Sequence, residues 1–243
     1  MVPRLVVFDL DGTLIDSRID LSNSVNAMLA HLGKPELPHE VIAGYIGNGV
    51  GVLVRKALAG GTRGDAEGEV YDDEYVNRAV EFFLDYYREH KLDYTYVYGG
   101  VTEALEELHA EHPKLAMAVL TNKPVRPSRD ICAHFGLDRF FFQNYGGNSF
   151  ATKKPDPAGL LALMVEASAL DAAGGPIVAD ETVMIGDSDV DVLTARSCGA
   201  WAVGCAYGLS PQSLAVAPPD ALADAPADWP ETLRALAGSA MAR

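Results

Sequence analysis

Asp9 and Asp11 lie two residues apart in "FDLDGT", directly after the apolar run Leu5 to Phe8. Successive side chains of an extended chain point to opposite sides, so these carboxylates share one direction, and Gly12 then permits a sharp turn. The pairing suits phosphoryl transfer through the protein itself. Asp9 can attack phosphorus and become an aspartyl phosphate. Asp11 can protonate the departing oxygen and later take a proton from the water that hydrolyses the intermediate.

Three later clusters carry the same kind of polar residue: "LTNK" ending at Lys123, "KKPDP" from Lys153 to Pro157, and "IGDSDVD" ending at Asp191. The first and third follow apolar runs. Ligands of open parallel sheets bind beyond the carboxyl ends of the strands, where residues distant in sequence meet. Crowded there, Asp9, Asp11, Asp187 and Asp191 repel one another, and charges withdrawn from water must be paired or neutralised. Mg2+ answers that need, because it takes a few carboxylate oxygens and shares a substrate phosphate. Lys154 adds a fixed cation, and the Thr121 hydroxyl with nearby backbone amides donates to phosphate oxygens. Gly12 and Asn122 complete the expected substrate contacts on this side. Lys153 reads as a solvated neighbour, Asp189 as the cap of the helix after "IGDS", and Asp16 with Ser17 as a helix N-cap.

The elements that must position these groups follow from periodicity. Leu5 to Phe8 and "LAMAVL" (Leu115 to Leu120) read as strands buried on both faces. The stretch between them far exceeds the dozen or so residues of a simple crossover. Its surplus reads as an inserted helical module, with Val50, Leu53, Val54, Ala57 and Leu58 on one helix. A glycine- and acid-rich stretch, "GGTRGDAEGEVYDDE", reads as a solvated link. After Leu120 helix and strand alternate: helices at Val125 to Phe135, Pro157 to Ala169, Val190 to Cys198 and after Trp229, and strands at "FFF" (Phe140 to Phe142), "VMI" (Val183 to Ile185) and "AWAV" from Ala200. "AVAPPDALADAPADWP" reads as irregular surface chain. The expected architecture is α/β: a Rossmann-like parallel sheet core made of 1–15 and 96–243, with a helical cap at 16–95.

In the cap, "YIGNGVGVLVRKAL" supports two readings of Gly47, Asn48, Gly49 and Arg55. In one, Asn48 caps an amphipathic helix after a glycine turn. In the other, the free amides of that helix N-terminus meet a substrate carboxylate. Arg55 would assist, although helical spacing sets it opposite Leu53 and Val54. "HAEH" at His109 to His112 has metal-like spacing but lacks further ligands nearby for a closed zinc site.

Composition excludes several classes of partner. With 34 acidic against 19 basic residues the 243-residue chain carries a net charge of -15, which opposes binding to a nucleic-acid backbone. No apolar run approaches the ~20 residues that span a bilayer. Cys132, Cys198 and Cys205 are too scattered for a disulfide framework, and "MVPRLVVFD" has no signal-peptide pattern, so a cytoplasmic protein is expected. The partner is a small-molecule phosphate ester, and the chain a monomer or homodimer.

"DLDGTLIDS", "LTN", "KKPDP" and "GDSDVD" together resemble, in order, the four motifs of the haloacid dehalogenase-like hydrolases. The resemblance spans Leu5 to about Gly208. It implies Asp9 as nucleophile, Asp11 as acid and base, Thr121 and Lys154 as phosphate binders and Asp187 as metal ligand. The cap stretch, "KKPDPAGLL" and "GDSDVDVLTARSCGA" are similar to the phosphoglycolate phosphatases of that superfamily. That likeness implies 2-phosphoglycolate as substrate, with Mg2+ held by Asp9, by Asp11 through its backbone carbonyl and by Asp187, and with Asp191 supporting from behind. "YGGV" at Tyr98 departs from the proline usual there, which loosens the hinge of the cap. The rival readings are a phosphatase or phosphomutase for a sugar phosphate or pyrophosphate, and a non-hydrolytic signalling module that accepts phosphate on aspartate. A dehalogenase has no use for Asp11 or a metal, and a signalling module has none for Asp11 or a cap.

Overall fold

A computed structural model describes residues 3–60, 71–170 and 174–239. Its centre is β1 (Leu5–Phe8), whose four side chains are all fully buried. A strand apolar at every position needs cover on both faces, which a parallel sheet with flanking helices supplies. On one side β1 pairs with β4 (Ala116–Leu120), which pairs with β5 (Gln143–Tyr145); on the other it pairs with β6 (Thr182–Gly186), followed by β7 (Trp201–Cys205) and β8 (Ala221–Ala223). All pairings are parallel, with Phe8 level with Val119 and Ile185. The chain leaves β1 for one side and later crosses to the other, so a crevice opens at the carboxyl ends of β1, β4 and β6.

Alternate side chains fill two apolar layers. Phe8, Val6 and Val119 face Leu105 on α5 (Val101–Glu111) and Trp229, which begins α9 (Trp229–Ser239). Leu5, Val7 and Ala118 face Leu160 and Leu163 on α7 (Ala158–Leu170) and Val192 on α8 (Asp189–Cys198). Val125–His134 forms α6, flanking β5.

Four helices share a third, separate apolar cluster: α1 (Arg18–His31), α2 (His39–Ala43), α3 (Val50–Leu58) and α4 (Asp73–His90), joined through Val25, Ile42, Leu53, Val54 and Phe83. The chain enters and leaves this unit through a two-stranded antiparallel ribbon, β2 (Ile15–Asp16) against β3 (Tyr96–Val97). The ribbon's two strands are too short for a period-two pattern to be visible in the sequence.

Three local expectations change. The apolar "FFF" is not a strand: Asp138–Phe140 is a 3-10 turn, Phe141 packs on Phe8 at 5.9 Å between ring centroids, and the edge strand β5 starts at Gln143. The run is apolar because it seals the core beside the sheet, not because it pairs. The Pro- and Ala-rich stretch contributes edge strand β8 after Pro218 and Pro219, a position that tolerates the preceding prolines. Of the expected acidic link at 60–74, residues 61–70 lie outside the described residues, but its last acids open α4, where Asp72 accepts from the Tyr75 amide at 2.7 Å as N-cap.

Candidate active site

Each carboxyl end around the crevice delivers one of the expected side chains. Asp9 follows β1, Thr121 follows β4, Asp187 follows β6, and Lys154 arrives from the loop before α7. All four are buried. Carboxylate oxygens of Asp9, Asp187 and Asp191 lie within 4.8 Å of one another. Lys154 sits among them, with Nζ 3.0 Å from Asp9 Oδ1 and 2.6 Å from Asp191 Oδ1.

One ammonium does not balance three buried carboxylates. Burial pushes the Asp9 carboxyl up to about 6, with Lys154 opposing the rise and Asp191 adding to it. Asp187 is pushed further, to about 8, by burial and then by the charges of Asp191 and Asp9. Burial alone would depress the Lys154 ammonium, but Asp191 and Asp9 hold it above the ordinary lysine range.

The three carboxylates differ in what remains open on them. Asp187 Oδ2 accepts the amides of Leu209 and Ser210 at 2.7 and 2.9 Å. Asp9 Oδ1 accepts the Leu10 amide at 2.7 Å as well as Lys154. Among the described residues no donor reaches Asp9 Oδ2 or Asp187 Oδ1. Asp191, by contrast, has both oxygens engaged, Oδ1 by Lys154 and Oδ2 by the hydroxyl and amide of Ser188. Asp191 therefore supports the cluster from behind, while Asp9 and Asp187 present oxygens to its interior. Gly12 makes the packing possible: it has φ +87°, and a Cβ there would lie 2.3 Å from Asp187 Oδ2.

Asp11 is not one of the three clustered carboxylates. Its Oδ1 accepts from Ser17 Oγ at 2.5 Å and from Lys123 Nζ at 2.8 Å, and Lys123 also reaches Oδ2 at 3.1 Å. Both groups border a small cavity of about 40 Å³ whose opposite wall comes from the helical unit, including Gly47, Gly49, Leu53 and Tyr87. Lys123 stands in "LTNK", but nothing in the sequence alone assigns it a part. Its signal is a cation placed two residues after Thr121 at a strand end. Ser17 occupies the N-cap position of α1 without capping it, because its hydroxyl is spent on Asp11. Asp16 instead accepts the Arg18 amide at 3.1 Å and binds the Arg18 guanidinium.

Other expected contacts shift as well. Ser188, not Asp189, is the N-cap of α8, in a capping box with Asp191. Asn122 donates to the carbonyls of Gly47 and Lys154 at 3.0 and 3.1 Å, so its amide ties the helical unit to the sheet. Lys153, though exposed, is not merely solvated: it donates to the Asn48 carbonyl at 2.6 Å. The N-cap of α3 is Gly49, so Asn48 does not cap that helix. Arg55 lies outside the cavity on the exposed face of α3, paired with Asp73 at 2.5 Å, because the apolar stripe of Leu53 and Val54 takes the inward face.

Among the described residues no helix is long and apolar enough to cross a membrane. A family model described as haloacid dehalogenase-like hydrolase matches residues 6–205. A phosphoglycolate phosphatase of Pseudomonas fluorescens strain Pf0-1 is 40% identical over 208 residues, 85% of this chain and 71% of that protein. One from Psychrobacter arcticus is 39% identical over 86% of this chain and 85% of its own length. The crystal structure of a predicted phosphoglycolate phosphatase from Haemophilus somnus superposes with a TM-score of 0.81 at 33% identity, covering 94% of this chain and 97% of the other.

Proposed function

Because the chain belongs to the haloacid dehalogenase-like hydrolases, we propose that it hydrolyses small phosphate monoesters through an aspartyl phosphate on Asp9, with 2-phosphoglycolate as its foremost substrate. The observation that carries this reading is the convergence of Asp9, Asp187, Asp191 and Lys154 at the strand ends, with Asp9 and Asp11 both lining the adjoining cavity.

The chemistry runs in two halves. One carboxylate oxygen of Asp9 forms a bond to phosphorus as the ester's P–O bond breaks, and a proton from Asp11 goes to the departing oxygen. Water then attacks the same phosphorus, its proton returns to Asp11, and the bond to Asp9 breaks. The balance is ester plus water to alcohol plus phosphate, with Asp11 as it began. Lys154 holds Asp9 in register and offsets phosphate charge, while the Thr121 hydroxyl, which accepts the Lys123 amide at 3.2 Å, keeps its own proton for a phosphate oxygen.

The donor set fits Mg2+. Asp9 Oδ2 and Asp187 Oδ1 are hard oxygens without a described protein donor, in a cluster whose raised carboxyls signal uncompensated negative charge. Asp11 would contribute its backbone carbonyl. Bound there, the ion offsets the carboxylates and so admits an anionic substrate. The helical unit serves as a cap that shields the reaction from water. The small cavity favours a leaving group of a few atoms over a sugar ring, as does the name of the relatives. Three free cysteines support a cytoplasmic setting.

The test is phosphate release from a panel of esters with Mg2+ and with EDTA, beside Asp9→Asn. The expected result is metal-dependent turnover with 2-phosphoglycolate near the top and a loss of roughly 10³-fold or more in Asp9→Asn. Full activity in that variant would sink the mechanism.

A further inference from the structure

Resting on the hydrolase reading above, we propose that Lys123 and Tyr87 form a subsite for a second negative charge on the leaving group. Lys123 is the only positively charged side chain among the described residues lining the cavity. It is 3% exposed and holds both oxygens of Asp11. Lys154 is committed to Asp9 and Asp191, and Arg55 points away.

Tyr87 closes the other side. It reaches in from α4, 2% exposed, with its ring 4.8 Å from the Lys123 ammonium. Its hydroxyl is buried and makes no hydrogen bond with any described residue. A buried polar group without a partner is costly, and native proteins retain one where a ligand or water completes it. A cation and an unpaired hydroxyl thus meet beside Asp11 in a cavity that Asp9 also borders and whose other lining is largely apolar.

A neutral leaving group cannot compete with Asp11 for the ammonium. A carboxylate entering the cavity would be repelled by Asp9 and Asp11 unless it takes over Lys123 and accepts from Tyr87. Recognition is then a charge exchange: the substrate's second charge takes the place of Asp11 beside the ammonium.

The test compares kcat/KM for 2-phosphoglycolate with that for 2-hydroxyethyl phosphate, which replaces the carboxylate with a neutral hydroxymethyl group, in the full chain with Mg2+. Wild type should favour the carboxylate ester by about 10- to 100-fold, the range of a charge-assisted contact. Lys123→Met should bring the ratio to within about threefold of one, Lys123→Arg should leave it between the two, and Tyr87→Phe should lower it about three- to tenfold. Tyr87→Phe removes only an unpaired hydroxyl, so it still decides the matter if Lys123→Met does not fold. A fall in both rates by the same factor would overturn the proposal and leave Lys123 as a mere prop for Asp11. Should wild type release phosphate from neither ester, the hydrolase reading fails. Calorimetric titration of 2-phosphoglycolate and 2-hydroxyethyl phosphate into Asp9→Asn, with and without Lys123→Met, then decides the subsite separately: a carboxylate preference lost with Lys123 supports it, and equal binding of the two esters refutes it.

Discussion

One wall of the cavity is made of strand ends and the other of the glycine turn before α3, and the two hold their polar groups by different means. On the sheet side Asp9 continues a fully buried strand, with its amide bonded to the Ile185 carbonyl at 2.9 Å. Its neighbours Asp187 and Asp191 are fixed by amides, a hydroxyl and Lys154. None of these can move without breaking several bonds in a packed interior. On the helical side, Gly47 and Asn48 meet the sheet through Asn122 and Lys153, two hydrogen bonds to backbone carbonyls. Each is worth only about 1 kcal/mol net. The groups proposed to react are therefore fixed by the fold, while the helical surface facing them is attached by a few replaceable bonds.

The largest effect short of removing the nucleophile should come from taking away the sheet side's single counter-charge. Lys154→Met leaves Asp9 and Asp191 facing each other with side chains 8% and 2% exposed. Breaking a buried ion pair from one side costs about 3–5 kcal/mol. Chemical denaturation should show a loss of that size, reduced when Mg2+ is present. A loss below about 1 kcal/mol would mean that the carboxylates are stabilised by water rather than by Lys154.

The same cluster sets a pH dependence that the helical side does not share. Asp9, raised to about 6, and Asp187, raised to about 8, retain protons in the folded chain that the unfolded chain releases near 3.8. The folded state binds more protons across that window, so stability must fall as pH rises. In EDTA the melting temperature should decline between about pH 4 and about pH 8 on account of these groups. Saturating Mg2+ should flatten the decline, because the ion replaces the protons. A profile identical with and without the metal would place its site elsewhere.

That contrast also explains what the sequence made legible. The sheet side was readable because strand-end chemistry has short-range signatures: an apolar run, then Asp9 and Asp11, or Thr121, or Asp187. The parallel order followed from alternation of helix and strand. The jobs of Ser17, Lys123 and Tyr87 were not readable, because each depends on a partner far away in the chain or on another element. Ser17 looks like a helix cap until Asp11 claims its hydroxyl, and Lys123 has no meaning until Asp11 and Tyr87 are brought to it. Phe140 to Phe142 failed for another reason: apolar content reports burial, and only pairing makes a strand.

A smaller effect is expected on the helical side from Gly49→Ala. Gly49 has φ +85° and ψ 162°, a region only glycine occupies at ease, and strain there costs about 1–3 kcal/mol. A Cβ would also lie 2.7 Å from Lys153 Nζ, which is flexible, and 3.3 Å from the Asn122 carbonyl, which is not. The turn should yield before the sheet does. KM for 2-phosphoglycolate should rise about three- to tenfold with kcat changed less, and thermal stability should drop modestly. A fall in kcat at constant KM would instead tie the turn to the reacting groups.

Arg55→Ala should do least, and it separates two accounts of how the helical side meets an anion. Sequence alone allowed Arg55 to reach a substrate carboxylate. The packing of Leu53 and Val54 against the helical cluster turns it outward to Asp73, with side chains 50% and 86% exposed. Exposed ion pairs of this kind contribute about 0–1 kcal/mol. Stability should change by less than about 0.5 kcal/mol, and kcat/KM for 2-phosphoglycolate by less than about twofold. A tenfold rise in KM would mean that α3 rotates on substrate binding, trading its buried stripe for a charged one. The cost of exposing Leu53 and Val54, about 1.5–3 kcal/mol each, weighs against that rotation and leaves recognition of the anion to Lys123.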